Sequence, residues 1–174
     1  MRLYGVTGWK NSGKTGLMER LVAEITGRGL KVSTVKHAHH ATEIDHPGRD
    51  SHRHRAAGAQ QVIVASPVRW ALMHELRGAP EPPLAQLLAH LAPADLVLIE
   101  GYKRAPHPKV EAHRPDTGRP LLAPDNPTVR AVASTAAPGD PSLAGVTVPI
   151  LSLDETAAIA DFILRELGLS EAVA

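Results

Sequence analysis

Leu3, Tyr4 and Val6 form a short apolar run over residues 2–7 that ends in a glycine-rich stretch, the pattern of a buried strand entering a loop. Over residues 14–27 the period changes: Leu17, Leu21 and Ile25 recur every fourth position with Met18 and Val22 beside them, predicting an amphipathic helix that Gly27 and Gly29 stop. Val32 to Lys36 predicts a second strand, completing a βαβ unit. Residues 37–55 are poor in apolar positions and predict a loop, with a short helix over 50–57. Gln61 to Ser66 and Arg69 to Glu75 predict a hairpin around Ser66-Pro67. Pro82 and Pro83 open a helix carrying Leu84, Leu87, Leu88 and Leu91. Asp95–Gly101 contains Leu96-Val97-Leu98-Ile99, a continuous apolar run expected of a central strand buried on both faces, and it ends in the carboxylate of Glu100. Lys109 to His113, Val129 to Ala133 and Val146 to Leu151 predict further strands, and Pro115 to Pro127 a turn-rich mobile loop. Ser152-Leu153-Asp154-Glu155 fits a capping box before a last helix with Ile159, Phe162, Ile163 and Leu167 inward, and the tail Ser170–Ala174 is expected to fray. No internal repeat is visible. The expected fold is a three-layer α/β domain with a mainly parallel sheet and a β-hairpin extension.

Composition narrows the classes. A length of 174 residues with 43% apolar content suits one domain, 1–174, with a single core; aromatics are only 3%, so aliphatic side chains must fill it. A net charge of +1 gives no field favouring nucleic acid or a membrane. The absence of cysteine excludes disulfides, thiolate metal sites and thiol nucleophiles. The first residues lack the long apolar core of a signal peptide, and no stretch reaches the roughly 18 apolar residues of a membrane span, so a cytoplasmic protein is expected.

The chemistry starts at Gly8-Trp9-Lys10-Asn11-Ser12-Gly13-Lys14-Thr15, a full match to G-x-x-x-x-G-K-[ST] between a predicted strand and a predicted helix. Its glycines let successive backbone N–H groups turn inward around an anion, and the following helix aims its positive end at phosphate. Lys14 is placed to reach the β- and γ-phosphates and Thr15 to offer its hydroxyl to Mg²⁺. Lys10 adds a cation within the loop, either ligand-directed or solvated. A P-loop protein also needs a carboxylate at the end of a neighbouring strand for the metal. Glu100 is that candidate; the alternative is a solvated strand end. Asp45 and Asp50 follow the second strand, where a loop can cover the nucleotide; Asp50 is placed either toward the metal or an attacking water, or as an ordinary helix cap. Lys14, Asp50 and Glu100 are thus the candidate catalytic residues. Residues 37–55 also hold His37, His39, His40, His46, His52 and His54, without the interleaved ligands of a fixed metal site; solvation or phosphate binding fits them better than metal storage. Arg49, Arg53 and Arg55 nearby suit bidentate phosphate contacts or a solvated basic surface.

Four pieces together resemble one family, the molybdopterin-guanine dinucleotide biosynthesis protein B (MobB) family. They are Gly8–Thr15; Lys36-His37-Ala38-His39-His40; Asp45-His46-Pro47-Gly48-Arg49-Asp50-Ser51 leading to Arg55-Ala56-Ala57-Gly58-Ala59; and Asp95–Lys103 with its Ile99-Glu100-Gly101-Tyr102-Lys103 ending. They span roughly the first hundred residues. The resemblance implies a homodimeric GTP-binding adapter with weak GTPase activity, using GTP and Mg²⁺ and working with the nucleotidyltransferase that joins GMP to molybdopterin. One departure stands out: no Asn-Lys-x-Asp or Thr-Lys-x-Asp guanine signature is present, Asn126 being followed by Pro127, so guanine contacts are expected within residues 104–150. Competing readings of the same loop are a small-molecule kinase, a metal-insertion GTPase chaperone and a non-catalytic nucleotide sensor.

Overall fold

In chain order the elements of the computed structural model are β1 (Arg2–Thr7), α1 (Lys14–Gly27), β2 (Val32–Lys36), α2 (Asp50–Ala56), β3 (Gln61–Ala65), β4 (Trp70–His74), α3 (Leu84–Leu88), β5 (Leu96–Glu100), β6 (Lys109–His113), β7 (Val129–Ser134), β8 (Ile150–Ser152) and α4 (Thr156–Glu166). The structure describes residues 1–38 and 44–169; His39, His40 and the tail Ser170–Ala174 lie outside them. The described residues form two compact units, Met1–His37 with Ala92–Ala174, and Ala38–Leu91.

The first unit is a six-stranded sheet in the order β2-β5-β1-β6-β7-β8, with every pair parallel. The unbroken apolar run of β5 lies between β2 and β1, and all of its residues are buried. Alternation then sorts the side chains. Tyr4 and Val6 of β1, Leu96 and Leu98 of β5, Val110 and Ala112 of β6 and Ala131 and Ala133 of β7 share one cluster with Leu17, Leu21 and Ile25 of α1 and Ile159, Ile163 and Leu164 of α4. Both helices therefore cover the same face. They are tied to each other by Arg28, which bonds Asp161 at 2.5 Å, and to the end of β8 by Arg20, which donates to the Leu153 carbonyl at 2.7 Å.

Four local expectations are corrected. The strand over Val146 to Leu151 is only Ile150–Ser152: Gly145 turns with φ 78°, Val146 N–H bonds back to the Leu143 carbonyl, and Pro149 has no N–H to give a ladder. The helix after Pro83 ends at Leu88, and Leu91 falls in the tighter turn beyond it, ahead of Pro93. The capping box does not close; Glu155 is the N-cap residue of α4 and makes no side-chain capping bond. The Pro115–Pro127 segment carries two short 3-10 turns, Pro115–Thr117 and Ala123–Asp125, and is anchored rather than loose, since Glu111 accepts from the backbone of Leu122 and Ala123 at 2.9 Å. No described helix is long and apolar enough to cross a membrane.

The second unit holds the predicted hairpin. β3 and β4 pair antiparallel from Gln61↔His74 to Ala65↔Trp70, closed by Ser66 N–H donating to the Arg69 carbonyl at 2.9 Å. Apolar residues are left in solvent on both faces, Ile63 and Trp70 on one and Val64 on the other, and Val68 is exposed in the turn.

Candidate functional site

The C-terminal ends of the parallel strands, where α/β sheets bind ligands, bring the predicted residues of the first unit together. β1 runs into Gly8, whose φ of 139° is open to glycine, and a Cβ there would be driven into the Ala112 carbonyl and lie 2.6 Å from Ser12 Oγ. Asn11 (φ 66°) and Gly13 (φ 91°) complete the wrap that delivers the chain to the N-terminus of α1 at Lys14. Ser12 Oγ is buried within this loop with no hydrogen-bond partner among the described residues. Lys10 is exposed.

Lys14 follows Gly13 directly, and its ammonium donates to the Trp9 carbonyl across the loop at 2.5 Å. Burial lowers its pKa; Glu100 opposes that shift and Lys103 and Lys36 add to it. Thr15 Oγ1 donates to Glu100 Oε1 at 3.2 Å. That contact follows from the alternation in β5: Leu96 and Leu98 face the helices, Glu100 is next on the same face, and the last turn of sheet places its carboxylate under the start of α1. The other oxygen, Oε2, lies 3.5 Å from Lys36 Nζ at the end of β2. Glu100 is nearly buried, at 9% exposure, so the reading as a freely solvated strand end is set aside.

The backbone after β5 is strained in a directed way. Gly101 (φ 94°) and Tyr102 (φ 45°) both adopt left-handed conformations. A Cβ on Gly101 would sit 3.0 Å from His37 Cβ, and the Tyr102 ring stacks on His37 with centroids 4.5 Å apart. This turn throws Lys103 back over the phosphate loop, its ammonium 3.9 Å from the Trp9 ring centroid. Trp9 Nε1 donates to the Pro120 carbonyl at 2.7 Å, linking the loop to the segment that Glu111 holds. Burial raises the Glu111 carboxyl's pKa, while the Leu122 and Ala123 N–H groups and Lys103 pull it back.

Sequence reasoning passed over several of these groups. Lys36, Tyr102 and Lys103 were visible only as members of resembling motifs, and Glu111 and Arg114 carried no signal at all. Arg114 packs against the loop, its Nε 3.1 Å from where a Cβ on Gly13 would lie, and that nitrogen is buried without a partner. Lys109 is fully buried yet faces oxygen atoms alone: the Ala105 carbonyl, the His107 carbonyl at 2.7 Å and Thr128 Oγ1 at 2.8 Å. Asn126, within the segment where guanine contacts are expected, donates to the Lys103 carbonyl at 2.9 Å and accepts from Thr128.

The remaining predicted residues belong to the second unit. Asp50 begins α2, with its side chain 87% exposed and a distant contact of 3.7 Å to Arg53. Asp45 is nearly buried, accepts from Ser51 Oγ and His46 N–H at 3.0 Å, and lies 3.5 Å from Arg55. Arg55 points inward to Glu75 at 2.6 Å, unlike the exposed Arg49 and Arg53. Among the described residues no cluster of His, Asp or Glu is arranged to hold a metal ion by itself.

Comparison with known proteins places this geometry. Residues 3–135 match the family described as MobB, molybdopterin guanine dinucleotide synthesis protein B. The chain is 36% identical over 166 residues to the molybdopterin-guanine dinucleotide biosynthesis adapter protein of Escherichia coli (strain K12), covering 94% of this chain and 91% of the relative. It is 43% identical over 122 residues to the adapter protein of the same description from Haemophilus influenzae, covering 68% and 67%. The fold superposes on the crystal structure of Bacillus subtilis MobB with a TM-score of 0.70 at 28% identity, covering 95% of this chain and 98% of the other. It also superposes on a MobB protein homolog from Bacillus stearothermophilus with a TM-score of 0.66 at 28% identity, covering 96% and 98%.

Proposed function

The chain belongs to the MobB family, and from that premise we propose that it is a GTP-binding adapter of molybdopterin-guanine dinucleotide biosynthesis, with weak GTPase activity at Gly8–Thr15. The observation that carries the nucleotide part is the joint placement of Lys14, Thr15 and Glu100: a glycine-formed loop at a helix N-terminus, an ammonium held across that loop, and a hydroxyl 3.2 Å from a strand-end carboxylate. Gly8, Trp9, Lys10, Asn11, Ser12 and Gly13 form the cradle, its unpartnered Ser12 hydroxyl and inward-turned backbone suiting phosphate oxygens.

Thr15 and Glu100 would hold Mg²⁺, Glu100 through water. Such an ion would supply neutralisation of charge on the β- and γ-phosphate oxygens. The protein's own part is to fix the phosphates with backbone N–H groups, hold Lys14 beside them in a partly desolvated setting that strengthens its attraction, and exclude bulk water on the helix side of the sheet. The whole chain, 1–174, acts as one nucleotide-binding domain in this reading, as a cytoplasmic homodimer that hands nucleotide-dependent binding to the nucleotidyltransferase.

Glu100→Gln tests the metal assignment. It keeps the shape and removes the charge, so Mg²⁺-dependent phosphate release should fall to near the uncatalysed rate while metal-free nucleotide binding is kept. Equal rates in variant and wild type would remove Glu100 from the site.

A further inference from the structure

Lys36, Glu100 and Val6 lie in one row across β2, β5 and β1, paired Cα to Cα. Adjacent strands are about 4.8 Å apart, so Lys36 starts two strands from the phosphate loop, and its side chain spans the first of those intervals to Glu100. It reaches Glu100 Oε2 at 3.5 Å, a loose pair made by a side chain 60% exposed. From the other direction the left-handed turn at Gly101-Tyr102 returns Lys103 over Trp9, the second residue of the loop. Lys14 feels both of these ammonium groups as well as the Glu100 carboxylate. Lys14 and Lys36 thus share the Glu100 carboxylate, Lys103 adds a third ammonium that Lys14 feels while itself feeling Glu111, and Lys36 and Lys103 are held by weak contacts that a stronger anion can replace. A left-handed tyrosine is a strained conformation; here it is held in place by the stack on His37, and its consequence is the position of Lys103. A surplus of positive charge at the mouth of a phosphate loop, on the side of β2 and β5, fits one more phosphate group than Lys14 alone would serve.

We propose that Lys36 and Lys103 are phosphate-binding residues that, with Lys14, make this site prefer a nucleoside triphosphate to a diphosphate, Lys36 leaving the Glu100 carboxylate for a terminal phosphate oxygen. This rests on the nucleotide-site reading above and extends it to specificity. Lys36 acts on the ligand only when the terminal phosphate is there, so the affinity for triphosphate carries its contribution and the affinity for diphosphate does not. Lys103 gives up its position over the Trp9 ring in the same step, which makes Trp9 a reporter of that phosphate.

The test is calorimetric titration of full-length wild type, Lys14→Ala, Lys36→Met and Lys103→Met with GTP and with GDP, each in Mg²⁺. Wild type should favour GTP. A charge-assisted contact supports a loss of about tenfold or more, so Lys36→Met and Lys103→Met should each bind GTP about tenfold more weakly while GDP affinity moves by less than about threefold. Lys36→Arg and Lys103→Arg keep the charge and should restore most of the GTP preference, which separates loss of a contact from loss of fold. As a second readout, in a Trp70→Phe background that leaves Trp9 as the sole tryptophan, GTP should change its emission more than GDP does. Wild type that binds neither nucleotide overturns the site itself. Wild type that binds, with Lys14→Ala weakened but an unchanged GTP-to-GDP ratio in Lys36→Met and Lys103→Met, overturns this inference and leaves the site standing.

Discussion

Lys109 gives the most quantitative expectation. Its side chain is fully buried, with no carboxylate among its contacts in the described residues; three oxygens accept its protons, and burial pulls its pKa from 10.5 down to about 8. The sign follows from proton counting. Between those two values the unfolded chain keeps a proton that the folded chain has released, so stability rises with pH in that window. One pKa unit corresponds to about 1.4 kcal/mol, so the group should add about 2 kcal/mol to stability as pH goes from 7 to 9.5. Tyr4, whose pKa burial raises, works in the opposite direction only at higher pH and does not disturb this window. Lys109→Met keeps the aliphatic stem that packs against Gly5 and removes the titrating nitrogen. The assay is urea unfolding of both proteins at closely spaced pH values, read as the difference between them. The wild type should gain about 2 kcal/mol relative to the variant from pH 7 to 9.5. Parallel pH profiles would show that Lys109 titrates as an ordinary lysine and that its three oxygen contacts hold it charged at no cost.

Two further substitutions probe the loop and the second unit. Gly8→Ala puts a Cβ against the Ala112 carbonyl at a φ of 139°, and should lower the unfolding free energy by about 2 kcal/mol or more and weaken nucleotide binding with it; an unchanged urea midpoint would contradict the described loop. Arg55→Gln breaks contacts to Glu75 and Asp45 at a side chain only 15% exposed, so about 1–3 kcal/mol of stability should be lost, whereas the exposed Arg49→Gln and Arg53→Gln should stay within about 0.5 kcal/mol. Equal effects of all three in thermal unfolding would return Arg55 to the solvated surface.

What the sequence could disclose tracks how locally each feature is encoded. The β1-loop-α1 passage was legible because a glycine pattern and a change of period fall on adjacent residues, and Glu100 because it ends an apolar run. The hairpin was legible for the same reason, two short runs around Ser66-Pro67. Arg55, read with Arg49 and Arg53 as one basic group, differs from them only through Glu75, twenty residues away, so composition could not separate it. Glu111 and Lys109 looked like ordinary polar positions in a short strand; what makes them structural is a backbone segment and a return loop that fold over them from elsewhere. The short β8 was overestimated because Val146 and Val148 raise β propensity while Gly145 and Pro149 decide the backbone.

The central claim is that Gly8–Thr15 binds a nucleoside triphosphate through Lys14. Titration of wild type and Lys14→Ala with GTP in Mg²⁺, with circular dichroism to confirm that both are folded, tests it most directly. A hydrogen bond to a charged group is worth roughly 1.5–3 kcal/mol, so the variant should bind about 10- to 150-fold more weakly with its secondary structure intact. Equal GTP affinity in the two folded proteins would contradict it.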